Sequence, residues 1–180
     1  KSSAPALQFT SGGGNYLVGV TIDSPQAELN GIIQISSSTC NFKNNITNFG
    51  SLQNRSNNVY TLNVNGNFVN SGNVQNDYFN FTMNISGNVT NNGSWRNYQT
   101  TLTGTVTHFI AFTERFEGDY FTNGNAAGSM TATNDLIFDG TVIDLNNCSF
   151  SIASGGRLSI MNGGLANAVI SGSDIHFNSL

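Results

Sequence analysis

"LNVNGNFVNSGNVQN", residues 62–76, carries no charged residue and six asparagines. Its apolar residues nevertheless fall at regular places: Leu62, Val64, Phe68 and Val74. Two neighbouring windows of equal length repeat the text, "CNFKNNITNFGSLQN" at 40–54 and "MNISGNVTNNGSWRN" at 83–97, offset by 22 and 21 residues. Identity recurs at Asn45/Asn67/Asn88, Asn48/Asn70/Asn91, Gly50/Gly72/Gly93 and Asn54/Asn76/Asn97. The apolar register is independent of the asparagines: Cys40, Phe42, Ile46 and Leu52 in the first window, and Met83, Ile85, Val89 and Trp95 in the third.

Alternation of period two marks strands with one buried face. A repeat of 20–25 residues that carries strand patterning, with turn residues between strands, is the signature of a solenoid in which each repeat makes one coil. The sequence therefore predicts an all-β fold, a parallel β-solenoid with coils of about 21–22 residues, as one domain over 1–180 and as a segment of a longer protein. An apolar–x–apolar–x–Gly–x–apolar element returns at Thr100, Leu102, Gly104, Val106 and again at Leu136, Phe138, Gly140, Val142, with irregular offsets.

Equivalent residues of successive coils lie about 4.8 Å apart, so an asparagine repeated in each coil can hydrogen-bond to those above and below. Two such ladders are expected, Asn48/Asn70/Asn91 and Asn54/Asn76/Asn97, with Gly50, Gly72 and Gly93 at corners that demand backbone freedom.

Composition sets the outer bounds. The chain has 180 residues, 29 Asn, 13 Phe, 9% charged residues and a net charge of −4. Disorder normally needs few aromatics and high net charge, so this chain should fold. Six basic residues scattered along an acidic chain form no stripe for nucleic acid and no polybasic patch for a membrane surface. No run of 18 apolar residues offers a membrane-spanning helix.

With the coil repeat, "GNFVNSGNVQN" and "GNVTNNGSWRN" give the chain a resemblance to the right-handed parallel β-helix (pectin-lyase-like) superfamily. More narrowly, they are similar to repeats of large secreted surface proteins and adhesins of bacteria of the Bacteroidota type. The resemblance implies a right-handed β-helix and an extracellular, cell-surface location. It implies a non-catalytic structural or adhesive module, with a surface glycan, or self-association through the solenoid ends, as the partner. The enzymes of that superfamily, polysaccharide lyases and hydrolases, are the first alternative; a self-assembling filament subunit or secretion-system passenger is the second.

Such enzymes cluster acids on one face. The nearest clusters are "ERFEGD" (Glu114, Glu117, Asp119) and "NDLIFDGTVID" (Asp135, Asp139, Asp144). Inward-facing Leu136, Phe138 and Val142 would leave Asp135 and Asp139 outward on one strand, roughly 13 Å apart, too far for a glycosidase pair at about 5–9.5 Å. Pairing with an acid of a neighbouring coil stays open, and no catalytic residue is assigned. Glu114, Glu117 and Asp119 border the least repetitive stretch, 118–134, expected as a protruding loop. With Asp139 they form the candidate binding site, for which calcium is the only cofactor considered.

His108 and His176 have no companion ligand pattern. Trp95 is expected in the core. Cys40 and Cys148, about five coils or roughly 24 Å apart, are expected as buried free thiols, with a disulfide as the alternative should the coils between them be fewer.

Overall fold

The structure, a computed structural model, describes residues 7–10, 14–37, 39–54, 56–76, 80–125, 128–172 and 174–178. Among these it has 25 strands and no helix. The chain winds through three parallel sheets in turn and makes about eight turns. The third turn shows the plan: Asn45–Asn48 in the first sheet, Ser51–Asn54 in the second, Tyr60–Val64 in the third. The first sheet stacks nine strands and the third eight. The second has a block of five and a block of three, joined by single bridges from Trp95 to Phe116 and from Phe116 to Phe138.

The repeat read from the sequence is the register of the sheets. Ile46, Phe68 and Val89 are successive partners in the first sheet. Leu52, Val74 and Trp95 are partners in the second, and Cys40, Leu62 and Met83 in the third. Every one of these nine side chains is fully buried. Each coil thus adds at least one inward apolar side chain to every sheet, and burying such side chains supplies on the order of 1.5–3 kcal/mol each.

Past Leu102 the columns grow aromatic. Trp95 packs edge-on to Phe68 at 5.1 Å between ring centroids, and Phe116 contacts Phe121 at 5.3 Å and Phe138 at 5.5 Å. Phe112 and Phe116 are stacked at 5.9 Å. Phe116 is the sole second-sheet contribution of its coil, and it is fully buried.

Two expectations need correction. The elements at Thr100–Val106 and Leu136–Val142 are not equivalent: Thr100 and Leu102 pair with Met83 and Ile85 in the third sheet, whereas Leu136 and Phe138 pair with Leu158 and Ile160 in the second. Gly140, at φ +75°, turns the chain so that Thr141 is buried and Val142 is 41% exposed, the reverse of the expected phase. Second, 118–134 is not a protruding loop. Tyr120–Asn123 is a third-sheet strand and Ser129–Ala132 a first-sheet strand, both in register with adjacent coils. Irregular text is confined to the corner between them, where Ala126 and Ala127 lie outside the described residues.

Corner glycines also act differently from the expectation. Gly50, Gly72 and Gly93 do not have positive φ. They stack so closely that a Cβ on Gly72 would lie 2.1 Å from the Gly50 carbonyl oxygen, and one on Gly93 2.0 Å from that of Gly72. The absent side chain, not the backbone freedom, is what the corner uses. Gly72→Ala is expected to destabilise the protein by about 1–3 kcal/mol through overpacking. Gly164→Ala, where nothing lies within 4 Å, should leave the urea midpoint unchanged.

Candidate functional site

Asparagines form the most regular polar structure in the molecule. Asn48, Asn70 and Asn91 are fully buried and in register. Asn48 Nδ2 donates to Asn70 Oδ1 and Asn70 Nδ2 to Asn91 Oδ1, each at 2.8 Å. The same nitrogens also donate to the carbonyls of Asn73 and Ser94, tying the ladder to the next corner. Phe112 occupies the following slot, so the ladder ends there. Its lower end is Asn48 Oδ1, buried without a partner among the described residues.

Asn54, Asn76 and Asn97 are buried as well, yet they do not form a second ladder. Asn54 Nδ2 donates to Asn80 Oδ1 and the Asn58 carbonyl. Asn97 Nδ2 donates to the Gln99 carbonyl and Thr100 Oγ1, and its Oδ1 accepts from Trp95 Nε1. Both amide atoms of Asn76 lack a partner among the described residues. The differing corner lengths pull the outer two amides sideways, Asn54 to its own corner and to Asn80 in the next, Asn97 to the corner that follows it.

The ladder that sequence reasoning passed over is Asn41/Asn63/Asn84, the second position of all three windows. Asn63 Nδ2 donates to Asn41 Oδ1 at 2.8 Å and Asn84 Nδ2 to Asn63 Oδ1 at 2.9 Å, on the outer face of the third sheet. Asn45, Asn67 and Asn88 act as a staircase instead, each Oδ1 accepting the backbone N–H of the next coil, at Asn67, Asn88 and Phe109.

The candidate acidic residues do converge, on the outside of the second sheet. One outward column runs Gln34, Gln53, Gln75 and continues, by the Trp95–Phe116–Phe138 bridges, through Arg96, Glu117 and Asp139. Glu117 and Asp139 are therefore neighbours one coil apart, about 4.8 Å along the axis. This is the neighbouring-coil pairing that the sequence left open. Arg115 lies beside them: its Nη1 is 2.9 Å from Asp139 Oδ2 and its Nε 4.0 Å from Glu117 Oε1. Asn162 Nδ2 donates to the other Asp139 oxygen at 3.0 Å, so both carboxylate oxygens are engaged.

Glu117, Asp119 and Asp139 line an open recess of about 320 Å³ with Arg96 and Gly140. Glu114 lines the neighbouring recess with Asn92, Ser94, Arg115 and Glu117. Asp135 is turned to a different task, its Oδ1 accepting the backbone N–H of Arg157. Asp144 Oδ1 accepts from Asn146 N–H and Asn167 Nδ2. Partial burial raises the Asp119 carboxyl above the usual aspartate range, with the Arg96 charge pulling it back down. At the last coil, hydrogen bonds from Arg157 and then His176 hold Asp174 below that range.

Among the described residues no three His, Cys, Asp or Glu side chains are grouped to hold a metal ion. His108 is fully buried with Nδ1 2.8 Å from the Gly87 carbonyl and Nε2 3.2 Å from that of Gly104. Cys40 and Cys148 are buried free thiols, and burial raises the Cys148 thiol, partly offset by a hydrogen bond from Asn123. Trp95 is fully buried. No helix among the described residues is long and apolar enough to cross a membrane.

Fold and register together define a parallel β-solenoid built on asparagine and glycine columns. No protein-family model, curated protein or solved structure matches the chain.

Asn70→Ala removes the middle rung of the buried ladder and leaves the facing amides and the Ser94 carbonyl short of partners; with about 1–3 kcal/mol for each orphaned buried group, a loss of roughly 2–4 kcal/mol is expected in urea unfolding. Asn63→Ala, on the half-exposed ladder, should cost well under half of that. For Asp119, a raised native pKa means the folded chain keeps this proton to higher pH than the unfolded one, so its contribution to stability falls as pH rises from the ordinary aspartate value through the raised one. Carbon-13 NMR of the carboxyl should show the elevated midpoint, and Arg96→Ala should move it further up.

Proposed function

We propose that the chain is a non-catalytic module of an extracellular bacterial surface protein, a rigid β-helix of the pectin-lyase-like kind that serves as stalk or adhesive surface. The observation that carries this reading is the state of the acidic cluster. Asp139 has both oxygens engaged by Arg115 and Asn162, and Arg115 also faces Glu117. An acid held in this way braces three adjacent coils, through Arg115, Asp139 and Asn162, and is not presented as a proton donor or acceptor. The extended shape and low charge suit a spacer that projects a binding face from a cell.

A specific feature favours a second reading, a polysaccharide lyase or hydrolase: two carboxylates one coil apart, bordered by Arg96 and Arg115, beside an open recess. Depolymerisation assays on acidic and neutral polysaccharides separate the two. The module reading expects no product above background from the intact protein. Product release that disappears in Glu117→Ala or Asp139→Ala, with the fold retained, would establish the enzyme.

A further inference from the structure

The outer face of the third sheet carries a different array from the acidic face of the second. Five consecutive strands pair there in unbroken parallel register, from Thr39–Phe42 to Tyr120–Asn123. Their outward residues form two columns. One is Thr39, Thr61, Thr82, Gln99, Tyr120; the other is Asn41, Asn63, Asn84, Thr101, Thr122. Along the chain, Thr101, Thr103, Thr105 and Thr107 run from the end of the third-sheet strand Gln99–Leu102 through a corner into the first-sheet strand Thr107–Phe112; the array is visible only down the columns.

Three properties coincide. The second column is fixed laterally before any ligand arrives: the Asn41–Asn63–Asn84 ladder runs down it, Gln99 Nε2 donates to Thr101 Oγ1 at 3.0 Å, and the Thr101 and Thr122 hydroxyls lie 2.9 Å apart. Both columns are free of charge from Thr39 through Thr122, and at the rim Lys43 is neutralised by Asp23 at 2.8 Å. The geometry is a grid, about 4.8 Å between coils and about 6.6 Å between the two columns, extending roughly 19 Å along the axis.

We infer that this face binds ice. A charged macromolecule finds no counter-charge within these five coils; the next residue of the column is Asp144, whose Oδ1 is held by Asn146 and Asn167. Among the described residues the aromatics beside the grid, Tyr98 and Tyr120 with ring centroids 5.4 Å apart, lie together at one end, so a sugar chain that stacks on aromatics finds no platform along the Thr39–Asn84 rungs. Ice, by contrast, is an electrically neutral, rigid lattice whose surface offers donors and acceptors at a fixed repeat, and the coil spacing is close to the water repeat along its prism face. Binding to a rigid lattice rewards groups that have already lost their rotamer freedom, because less ordering is left to do on contact. The threonine methyls exclude loosely held water while their hydroxyls and the asparagine amides continue the lattice. This inference is independent of the acidic cluster and of the reading built on it.

Adsorption of the fluorescently labelled intact chain to a growing single ice crystal, and inhibition of ice recrystallisation, test it directly. Wild type should be incorporated into ice and slow recrystallisation. Thr61→Tyr/Thr82→Tyr, which places bulk on the grid, should raise the concentration needed at least tenfold, while Gln75→Tyr, on the exposed second-sheet face, should not change it. Thr61→Ala/Thr82→Ala, which removes methyl and hydroxyl without adding bulk, should show the same loss and serves if the tyrosine variant fails to fold. Exclusion of wild type from ice overturns the inference, as does undiminished activity in a folded grid variant. Retention on crystalline cellulose or chitin without any effect on ice overturns it in favour of a polysaccharide surface.

Discussion

In-register stacking of one coil on the next, at the parallel-sheet spacing, is the constraint from which the rest of the molecule follows. Three sheets share the same axial repeat, so the corners between them must close at that repeat too. Two backbones can approach this closely at a corner only where no Cβ intervenes, which is why Gly50, Gly72 and Gly93 recur there. The same repeat turns any residue that recurs once per coil into a column. Apolar columns become the core, and asparagine columns become ladders where the flanking corners let successive amides meet, as at Asn48, Asn70 and Asn91.

A buried asparagine needs partners for its whole amide, and a column of identical residues is one way to supply them. Its amide has a donor and an acceptor to satisfy, and burying either without a partner is costly. Asn70 meets both needs through the identical residue above and below. The same dependence limits the ladder: once Phe112 enters the slot, the aromatic cluster of Trp95, Phe112, Phe116, Phe121 and Phe138 takes over the interior. The solenoid thus changes from a polar-laddered half to an aromatic-filled half without a break in its first sheet.

The central coils were legible because their lengths are nearly constant. Between Met83 and Thr100 the third sheet advances by only 17 residues, against 22 and 21 for the two steps before, and from there the windows cease to align. The expected loop at 118–134 was a consequence: once the offset is lost, a strand such as Tyr120–Asn123 has no visible partner. Likewise the sequence placed Asp135 and Asp139 along one strand but could not pair Asp139 with Glu117, because that pairing passes through a single residue, Phe116. Asn54, Asn76 and Asn97 share a column by repeat, yet whether amides in a column bond to each other or to their own corners depends on the loops that flank them.

What the amino-acid order determined by itself is the repeat, hence the strand direction, the inward columns, the burial of Trp95 and both cysteines, and the asparagine ladder at Asn48, Asn70 and Asn91. These depend on periodicity, which is a property of the text. Only the tertiary structure decided which residues of unequal coils stand beside one another: Arg115 against Asp139, Asn162 on its other oxygen, and the threonine–asparagine grid on the third sheet. The physical reason is that neighbours across coils are set by the cumulative length of every corner between them, so a few residues gained or lost in one corner move all later side chains to new partners.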